Sequence, residues 1–417
     1  MTRRPELGRL AARLWPAGAL ALLAAAGPAT AREEHPGERF SFSADELPSP
    51  REQSSPFNPP QVVPRGTDEV PVVPAGFVAS VFADDLDHPR AMALAPNGDV
   101  LLAESDAGKV TLLRDGDHDG RAETRATFAV GLNRPHGIVV EKDAVYIADQ
   151  LAVWRFPYRA GAERGGARAP VTERGALSPP GGYWTRALAF APDGGHFYVA
   201  IGSRRNVDEE APPRATVQRF ARDGSGQETL ASGLRNPVGM AFYPGTDDLY
   251  VTVNERDRLG DALVPDYLTR IEPGDFFGWP YAYIGGHPDP DFGDKAPEMV
   301  AAAKRPDVLF EAHSTPIGLV FYDKAAFPEE YRGDAFVSLR GSWNAAEPTG
   351  YKVVRVKFEN GRPAGWYDNF ATGFRVGGTD KAAVWGRPAG LLVLDDGSLL
   401  VADDTSKTVF RVRYVGP

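Results

Sequence analysis

The sequence predicts an all-β fold, a six-bladed β-propeller, from a repeated pattern, its spacing and the composition of its apolar runs. In the pattern, a Pro or Arg precedes a short apolar run, and an Asn-Gly or Asp-Gly turn often follows it. It recurs at 88–98, 134–140, 184–194, 235–242, 315–321 and 387–397. The apolar runs are β-branched or aromatic and bounded by Gly, Pro and Asp, which is typical of strands joined by turns and shows no helical period.

The spacing of the six segments fits one four-stranded blade per repeat. Counted from Pro89, the first three intervals are 46, 50 and 52 residues, and the last two are 79 and 72 residues. A blade takes about 40–50 residues, so each long interval predicts a blade plus an inserted loop of about 25 residues. A seven-bladed ring, with a degenerate blade in the longest interval, and a large β-sandwich are the alternative architectures.

The sequence also offers a way to close the ring. One apolar run, at 76–82, precedes the first repeat, and the last apolar run lies at 408–414. We predict that the strand at 76–82 adds to the last blade, because this pairing leaves no sheet edge free where the ring would otherwise open.

Two regions precede the repeats. Residues 1–31 combine a basic start, an apolar run and a small-x-small end, which is typical of a cleaved export signal. Residues 32–70 are rich in Pro, Ser, Glu and Arg, and we expect them to be an extended, largely disordered leader. Residues 71–417 then form one propeller domain.

Composition argues against several classes of function. The 417 residues include no Cys, which excludes a disulfide framework and lipid attachment at Cys. The formal net charge is −10 and no basic stripe carries interleaved aromatic residues, so nucleic acid is not an expected partner. With the export signal, these features predict a periplasmic or secreted protein without a transmembrane anchor.

Side chains that precede the repeated apolar runs should meet at one mouth of the central channel, because the loops that enter the innermost strands converge there. These positions hold Arg90, Arg134, His136, Tyr183, Arg186, Arg235, Asn236, His313 and Arg387, with Arg340 as a further candidate. A cationic funnel of this kind suits a ligand with carboxylates or phosphates. In the alternative interpretation, single arginines pair with local Asp or Glu between blades.

Three motifs extend this interpretation: Arg-Asn-Pro-Val-Gly at 235–239, Phe-Gly-Trp-Pro-Tyr at 277–281 and Gly-Arg-Pro-Ala-Gly at 386–390. With them, the chain resembles the soluble pyrroloquinoline-quinone (PQQ) sugar dehydrogenases, most closely the sorbosone-dehydrogenase branch of the glucose/sorbosone type. The resemblance implies a six-bladed propeller that binds PQQ and Ca²⁺ at the channel mouth. It also implies oxidation of an aldose or aldehyde hydrate, with a cytochrome or quinone as external electron acceptor.

The resemblance assigns cofactor contacts residue by residue. Arg235 and Asn236 would hold PQQ, and Arg387 would pair with one of its carboxylates. Arg340 stands where the family has Lys or Arg, and His313 falls near another cofactor contact.

The resemblance also implies the calcium ligands. In the family, backbone carbonyls of one loop contribute to the ion, and that loop corresponds here to 254–261. The carbonyls of Asp257 and Arg258 are the best match, with Asp261 as a further candidate.

The chain departs from the family at the catalytic base. Where the family has a His before the Arg of the third repeat, this sequence has Tyr183 ahead of Arg186. Tyr is a weak base at neutral pH unless a cation such as Arg186 or Ca²⁺ lowers its pKa. Three interpretations stay open: Tyr183 is an activated base, His136 or His313 replaces the missing His, or the protein only binds.

A second candidate calcium loop lies at 115–123. Asp115, Asp117 and Asp119 alternate before Gly120, as in the first half of an EF-hand loop. The twelfth position is Ala126 instead of the bidentate Glu, so a solvated acidic turn is the alternative.

Two other functions compete with the dehydrogenase. A calcium-dependent lactonase-type hydrolase would need several acidic and Asn ligands on the channel axis, where this sequence supplies Arg. A carbohydrate- or partner-binding propeller without activity is consistent with the missing His. Fold similarity does not choose between them, because propellers carry many functions.

Overall fold

The computed structural model of the chain describes residues 1–2 and 34–416, and its regular structure is almost entirely β-strand. One α-helix, Pro297–Ala302, and three 3-10 turns, Ala44–Glu46, Gly293–Lys295 and Glu329–Tyr331, occur in these residues. The strands build six sheets of four or five strands, numbered here along the chain, and two smaller sheets. The all-β prediction is therefore confirmed, and the fold is propeller-like.

The bounds of the strands are as follows, in the order of pairing within each sheet. Sheet 1 contains Pro89–Leu94, Val100–Glu104, Lys109–Arg114 and Thr124–Ala129. Sheet 2 contains Gly137–Val140, Ala144–Ala148, Val153–Pro157 and Ala169–Pro170. Sheet 3 contains Arg186–Phe190, His196–Ile201, Thr216–Ala221, Glu228–Ser232 and, parallel to the last, Asp275–Phe276.

Sheet 4 contains Pro237–Phe242, Leu249–Val253, Pro265–Ile271 and Val308–Ala312. Sheet 5 contains Pro316–Phe321, Ala335–Leu339, Lys352–Glu359, Arg362–Ala371 and Arg39–Phe40. Sheet 6 contains Pro388–Val393, Leu399–Asp403, Thr408–Tyr414 and Phe77–Ala83. The two smaller sheets contain Gln61–Val62, Ala383–Val384 and Arg375–Gly377, and Ala282–Tyr283 with His287–Pro288.

The first strands of the six sheets contact one another in a closed circular order, with sheet 6 returning to sheet 1. Glycines of the repeated pattern permit this close approach. A Cβ atom at Gly390 would clash with the carbonyl oxygen of Arg90 in sheet 1, and one at Gly318 would clash with that of Ala389 in sheet 6. Glycine at these two positions, two residues after the pattern's proline, is therefore a packing requirement of the ring.

The apolar core lies between the sheets. Six clusters of buried side chains each join one sheet to the next around the ring, including one between sheets 6 and 1. In the cluster between sheets 2 and 3, the stacked rings of Phe197 and Phe220, 5.0 Å apart, pack with Val153. Each sheet thus buries both of its faces against its neighbours.

The predicted ring closure is confirmed. Phe77–Ala83 pairs antiparallel with Thr408–Tyr414, so sheet 6 combines strands from the two ends of the repeat region.

The leader differs from the expected disordered segment. Between 34 and 70 it adds Arg39–Phe40 to sheet 5 and Gln61–Val62 to a small sheet. Lys352, fully buried, binds Glu34 at 2.9 Å and Glu311 at 2.8 Å. The leader is held because its few apolar side chains, such as Leu47, pack on the clusters between sheets.

The predicted export signal, 1–31, lies outside the described residues apart from its first two positions. Among the residues that the structure describes, no helix is both long and apolar enough to cross a membrane.

The closing strand gives the first testable prediction. The ring of Phe77 lies 4.8 Å from that of Phe327 and 5.2 Å from that of Phe370. We expect Phe77→Ala to lower the free energy of unfolding by about 3–5 kcal/mol in urea denaturation, because it leaves a cavity in the closure. Val78→Ala, on the same strand but 40% exposed, should change it by less than about 1 kcal/mol. Equal losses in the two variants would contradict this role for the closing strand.

Candidate active site

Strand pairing brings two groups of residues to one edge of each sheet. The first strand runs antiparallel to the second, so the residue that enters the first lies beside the residue that leaves the second. Pro237 pairs with Val253 in sheet 4, and Pro388 pairs with Asp403 in sheet 6. The channel mouth is therefore built from loops before first strands and from loops after second strands.

A cavity of about 340 Å³ opens at this edge. Six of the predicted mouth residues line it: Arg90, Tyr183, Arg235, Asn236, His313 and Arg340. It is also lined by residues that the sequence analysis did not select as side chains of the site: Thr185, Asn254, Glu255, Asp257, Asp266, Trp343 and Asn344. The structure thus brings six of the predicted mouth residues together, while Arg134, His136, Arg186, Arg387, Arg258 and Asp261 do not line this cavity.

Arg235 is the most fully bonded cation of the site. It is 3% exposed, and its Nη2 lies 2.7 Å from Asp257 Oδ2 and 2.9 Å from Asn206 Oδ1. It also donates to the Tyr183 hydroxyl and to the carbonyl of Glu255. Burial opposes the charge, but Asp257 and Tyr183 raise the pKa of Arg235 above its ordinary value. Its orientation is therefore fixed from several sides.

Asp404, whose side chain is fully buried, holds two further arginines. Arg90 Nη2 lies 2.9 Å and Arg340 Nε 2.7 Å from Asp404 Oδ2. Burial alone would raise the pKa of Asp404, but Arg90 and Arg340 hold it well below its usual range. Arg134 pairs with Asp106 at 2.9 Å. The alternative interpretation, in which single arginines pair with local carboxylates, therefore holds for Arg90, Arg134 and Arg340, and the carboxylates come from residues that follow second strands.

Arg387 lies behind Arg340, outside the cavity lining. Its Nε donates to the carbonyl of Arg340 at 3.1 Å, and a second donor reaches the carbonyl of Gly341. Burial and the neighbouring Arg340 lower the pKa of Arg387 to about 9. Among residues 34–416 no ion pair of Arg387 occurs.

Tyr183 is a neutral phenol in this environment. Burial raises the pKa of its hydroxyl, and Arg235, which opposes that shift, does not reverse it. Arg186 is fully buried and donates to the carbonyls of Tyr183, at 3.2 Å, and of Leu177, at 3.1 Å, so it does not reach the hydroxyl. Arg186 therefore makes no contact that would support the interpretation of Tyr183 as an activated base.

His136 lies deeper, in a second cavity of about 250 Å³ between the first strands. Its Nδ1 is buried without a hydrogen-bond partner. Burial and Arg90 lower the pKa of His136 to about 3, so the imidazole is neutral. Its ring meets edge-on, at 5.8 Å, the ring of Trp184, which lines the larger cavity. The structure does not bring His136 to the other candidate bases.

His313 is the predicted histidine that reaches the cavity. Its Nε2 lies 3.0 Å from the carbonyl oxygen of Gly260, and its Nδ1 lies 3.3 Å from Asn344 Nδ2 and 3.7 Å from Asp257 Oδ1. Burial would lower the pKa of His313, but Asp257 and the Gly260 carbonyl raise it overall. The carbonyl fixes the ring by accepting Nε2–H.

Sheet 4 supplies an acidic side to the cavity. Burial raises the pKa of Glu255 to about 7 and that of Asp266 to about 6. Burial would also raise the pKa of Asp257, but Arg235 and His313 lower it to about 2. Asp266 accepts the backbone N–H groups of Glu255 and Thr315, each at 2.8 Å.

The structure places Asp261 away from the cavity that Asp257 lines, although the resemblance implied both as calcium ligands. The carbonyl of Asp257 accepts from Asn206 Nδ2 at 3.0 Å, and Arg258 is exposed with φ of 73°. Asp261 lies in a different cavity, where its carboxylate accepts the N–H groups of 346 and 347. The carbonyls of Asp257 and Arg258 stay a prediction as calcium ligands.

The loop at 115–123 brings together a set of carboxylates that differs from the predicted one. Ligand atoms of Asp115, Asp117 and Glu123 lie within 4.8 Å of one another. Asp119 is outside this group and accepts the N–H of Arg121 at 2.8 Å. Calcium in this loop stays a prediction.

The buried pairs around Asp404 give a second prediction. Asp404→Asn should lower the free energy of unfolding by about 3–5 kcal/mol, because it leaves two buried arginines without their carboxylate. Asp395→Asn is the matched control: its carboxylate is 71% exposed and lies 3.4 Å from Lys324. It should cost less than about 1 kcal/mol. Denaturant titration of both variants checks this, and similar losses would show that the Asp404 cluster is not a buried network.

Similarity to a known family extends over most of the sequence. The TrAA12-like family matches at residues 71–277 and 289–415. An uncharacterized protein of Borreliella burgdorferi is 34% identical over 220 residues, which are 52% of this chain and 56% of that protein. A pyrroloquinoline quinone-dependent pyranose dehydrogenase of Coprinopsis cinerea is 26% identical over 283 residues, 53% of this chain and 38% of that enzyme. The chain thus covers about half or less of the length of these curated relatives.

Solved structures share the fold. The holo form of the pyranose dehydrogenase PQQ domain from Coprinopsis cinerea has a TM-score of 0.69 at 21% identity and covers 84% of this chain and 98% of that domain. A calcium structure of the carbohydrate-active family AA12 protein from Trichoderma reesei has the same TM-score at 19% identity, with 84% and 98% covered. Because the family match spans most of the sequence, the chain belongs to the TrAA12-like family.

Proposed function

We propose that this protein is a PQQ-dependent oxidoreductase that oxidises sugars. Family membership and the activity named for the Coprinopsis relative support this. In its finer form, the proposal is oxidation of an aldose or aldehyde hydrate of the sorbosone or glucose type at the anomeric carbon. Ca²⁺ assists, an external cytochrome or quinone accepts the electrons, and the protein acts after export.

One observation carries the proposal: cavity-lining side chains have buried polar atoms with no hydrogen-bond partner among the described residues. They are Arg90 Nε, Thr185 Oγ1, Asn236 Oδ1 and Glu255 Oε1. Buried polar groups without partners cost free energy, and they are rare in folded proteins. Their concentration in one cavity supports a polar ligand that satisfies them.

The cationic side of the cavity fits PQQ, which carries three carboxylates. Arg90 and Arg340 share the single carboxylate of Asp404, so this cluster has an excess of positive charge. Arg387 adds a third guanidinium directly behind Arg340. Guanidinium groups bind carboxylates with two parallel hydrogen bonds. Arg340 and Asn236 would contact the cofactor, with Arg387 supporting Arg340.

The acidic side fits a hard cation. Glu255, Asp257 and Asp266 offer carboxylate oxygens, and Asn254 adds an amide oxygen, which are the donors that Ca²⁺ prefers. Glu255 and Asp257 would hold the ion beside the cofactor.

When bound, PQQ supplies a quinone that accepts a hydride from the sugar, with the cation as a Lewis acid. The chain must position the sugar and accept its hydroxyl proton. His313 Nδ1 is the proposed proton acceptor, because Nε2–H is committed to the Gly260 carbonyl. Asp257 and Asn344 hold the ring from the other side, and Tyr183 stays neutral and orients Arg235.

A lactonase-type hydrolase gains some support from the acidic and Asn residues in the cavity. Glu255, Asp257 and Asp266, however, do not converge as a set of three carboxylates, which the hydrolase would need, whereas the dehydrogenase proposal places the ion on only two of them. Among the described residues, the group that meets this criterion lies at 115–123, away from the mouth. The dehydrogenase is therefore the function that we favour over hydrolysis or binding alone.

We also propose that the six sheets are the blades of a six-bladed propeller. The circular contacts of the first strands and the six clusters between neighbouring sheets support this count. Neither pattern leaves a place for a seventh blade in the described residues.

Reconstitution tests the function. The purified full chain is titrated with PQQ, with and without Ca²⁺, by absorption and fluorescence, and dye reduction is then followed with a panel of aldoses and with sorbosone. We expect saturable binding that Ca²⁺ strengthens, and turnover with at least one sugar. Binding without turnover would favour a binding protein, lactone hydrolysis without PQQ would favour the hydrolase, and absence of PQQ binding would exclude the proposal.

The cationic side gives a specific prediction. Arg340→Gln should weaken PQQ binding at least about ten-fold, since a hydrogen bond to a charged group contributes about 1.5–3 kcal/mol. In this variant Asp404 still pairs with Arg90, so its buried carboxylate does not lose every ion-pair partner. Arg134→Gln is the control, because Arg134 is 44% exposed and pairs with Asp106 outside the cavity lining. Equal PQQ affinities in both variants would contradict the assigned contact.

The assignment of the proton acceptor is tested by a pair of variants. His313→Gln should lower kcat about 10²-fold or more, which is typical of the loss of a general base. Tyr183→Phe should keep kcat within about ten-fold of the wild-type value, because a neutral phenol accepts no proton. PQQ titration of each variant separates lost turnover from lost cofactor. A larger loss for Tyr183→Phe would transfer the role to Tyr183.

A further inference from the structure

A segment of the leader lies against the rim of the cavity. We call residues 49–58 the strap; it precedes residue 71, where the family match begins. The strap touches two loops that border the cavity, one after the second strand of sheet 4 and one after the second strand of sheet 5. It therefore lies at the candidate active site but outside the residues that the family match covers.

The strap is anchored first on sheet 4. The backbone N–H of Ala262 donates to Gln53 Oε1 at 2.8 Å, and Arg51 pairs with Asp291 at 2.6 Å. Gln53 also packs beside Gly260, whose carbonyl accepts Nε2–H of His313. This end of the strap supports the loop that holds a cavity residue.

The strap is anchored next on sheet 5. The N–H of Asn58 donates to the carbonyl of Trp343 at 2.8 Å, and Asn58 Nδ2 donates to the carbonyl of Ala345 at the same distance. The ring of Phe57 meets the ring of Trp343 edge-on, with centroids 5.9 Å apart. Trp343 lines the cavity, so Phe57 continues its wall outward.

Both rings are exposed although they are anchored. Phe57 is 80% exposed and Trp343 is 41% exposed. Their neighbours fix them in place, so the exposed faces form a preformed aromatic surface. Exposed aromatic pairs beside a polar cavity are typical of binding sites, because the rings offer large contact area at a small loss of conformational entropy.

The cavity is small for the ligands that the proposed function requires. Its volume of about 340 Å³ lies near the lower end of the range for ligand sites, about 300–1,000 Å³. A tricyclic cofactor and one reacting sugar unit would fill it. Any further sugar unit must therefore lie outside, along the wall formed by Trp343 and Phe57.

We propose that Phe57 and Trp343 form an outer subsite for the second sugar unit of an oligosaccharide, so that the strap makes the enzyme prefer oligosaccharides to single sugars. This inference rests on the proposed function. Phe57 acts as a specificity-determining residue, because it contacts the part of the substrate that does not react. The apolar face of a pyranose ring is the surface that it would cover.

The experiment compares Phe57→Ala with Phe42→Ala. Phe42 is an exposed Phe of the same leader, but its ring stacks on Tyr367, 6.4 Å away, and lies in another cavity. Binding is measured by calorimetry on the full chain, loaded with PQQ and Ca²⁺ where they bind. The probes are reduced maltotriose and reduced cellotriose, which cannot react, and methyl glucoside as the single unit. KM and kcat for glucose, maltose and cellobiose are measured in parallel.

For Phe57→Ala we expect about three- to ten-fold weaker binding of at least one trisaccharide and a matching rise in KM for the corresponding disaccharide, at unchanged kcat. Values for methyl glucoside and glucose should stay unchanged, as should all values for Phe42→Ala. An equal effect on single sugars, equal effects of both variants, or no effect of Phe57→Ala overturns the subsite. A chain without turnover whose trisaccharide binding still depends on Phe57 refutes the oxidation and retains the subsite, which keeps the two failures distinct.

Discussion

The antiparallel pairing of the first two strands in each sheet is the constraint on which the site depends. It places the end of every second strand beside the start of the first strand, and the ring then gathers all six edges around one channel. A residue that follows a second strand is therefore as close to the mouth as one that precedes a first strand. Arg340 and Asp404 follow second strands, whereas Arg235 precedes a first strand.

This constraint explains how an acidic protein keeps so many arginines at one mouth. Arg235 is neutralised by Asp257 of the same sheet, whereas Arg90 and Arg340 come from sheets 1 and 5 and share Asp404 of sheet 6. The second arrangement joins three sheets through one buried carboxylate. It stabilises the ring and leaves positive charge in excess on one side of the cavity, so the same ion pairs serve the fold and the affinity for an anionic ligand.

The repeated pattern was sufficient to predict the β-class, the ring closure and the convergence of the residues before the first strands. It could not predict Asp404 or Asn344 as site residues, because the loops after second strands share no pattern, and their register follows only from the pairing. It also misplaced His136 and Arg186. His136 precedes a first strand, but its side chain turns into the channel. Arg186 begins a first strand, but its side chain turns between sheets. Packing decides these directions, and sequence position does not. The leader was misjudged because a few apolar residues can hold a polar segment once sheets exist to receive them.

Tyr183 changes which sheet of the ring can supply a base. Its phenol bonds to Arg235, and burial keeps it neutral, so sheet 3 contributes orientation instead of a base. The proposed proton acceptor, His313, lies on the side formed by sheets 4 and 5, between the Gly260 carbonyl and Asp257. The strap crosses this same side and supports the loop that fixes His313. The proposed proton acceptor and the strap therefore share one region, and the proposed outer subsite of Phe57 and Trp343 lies at the rim of the same cavity.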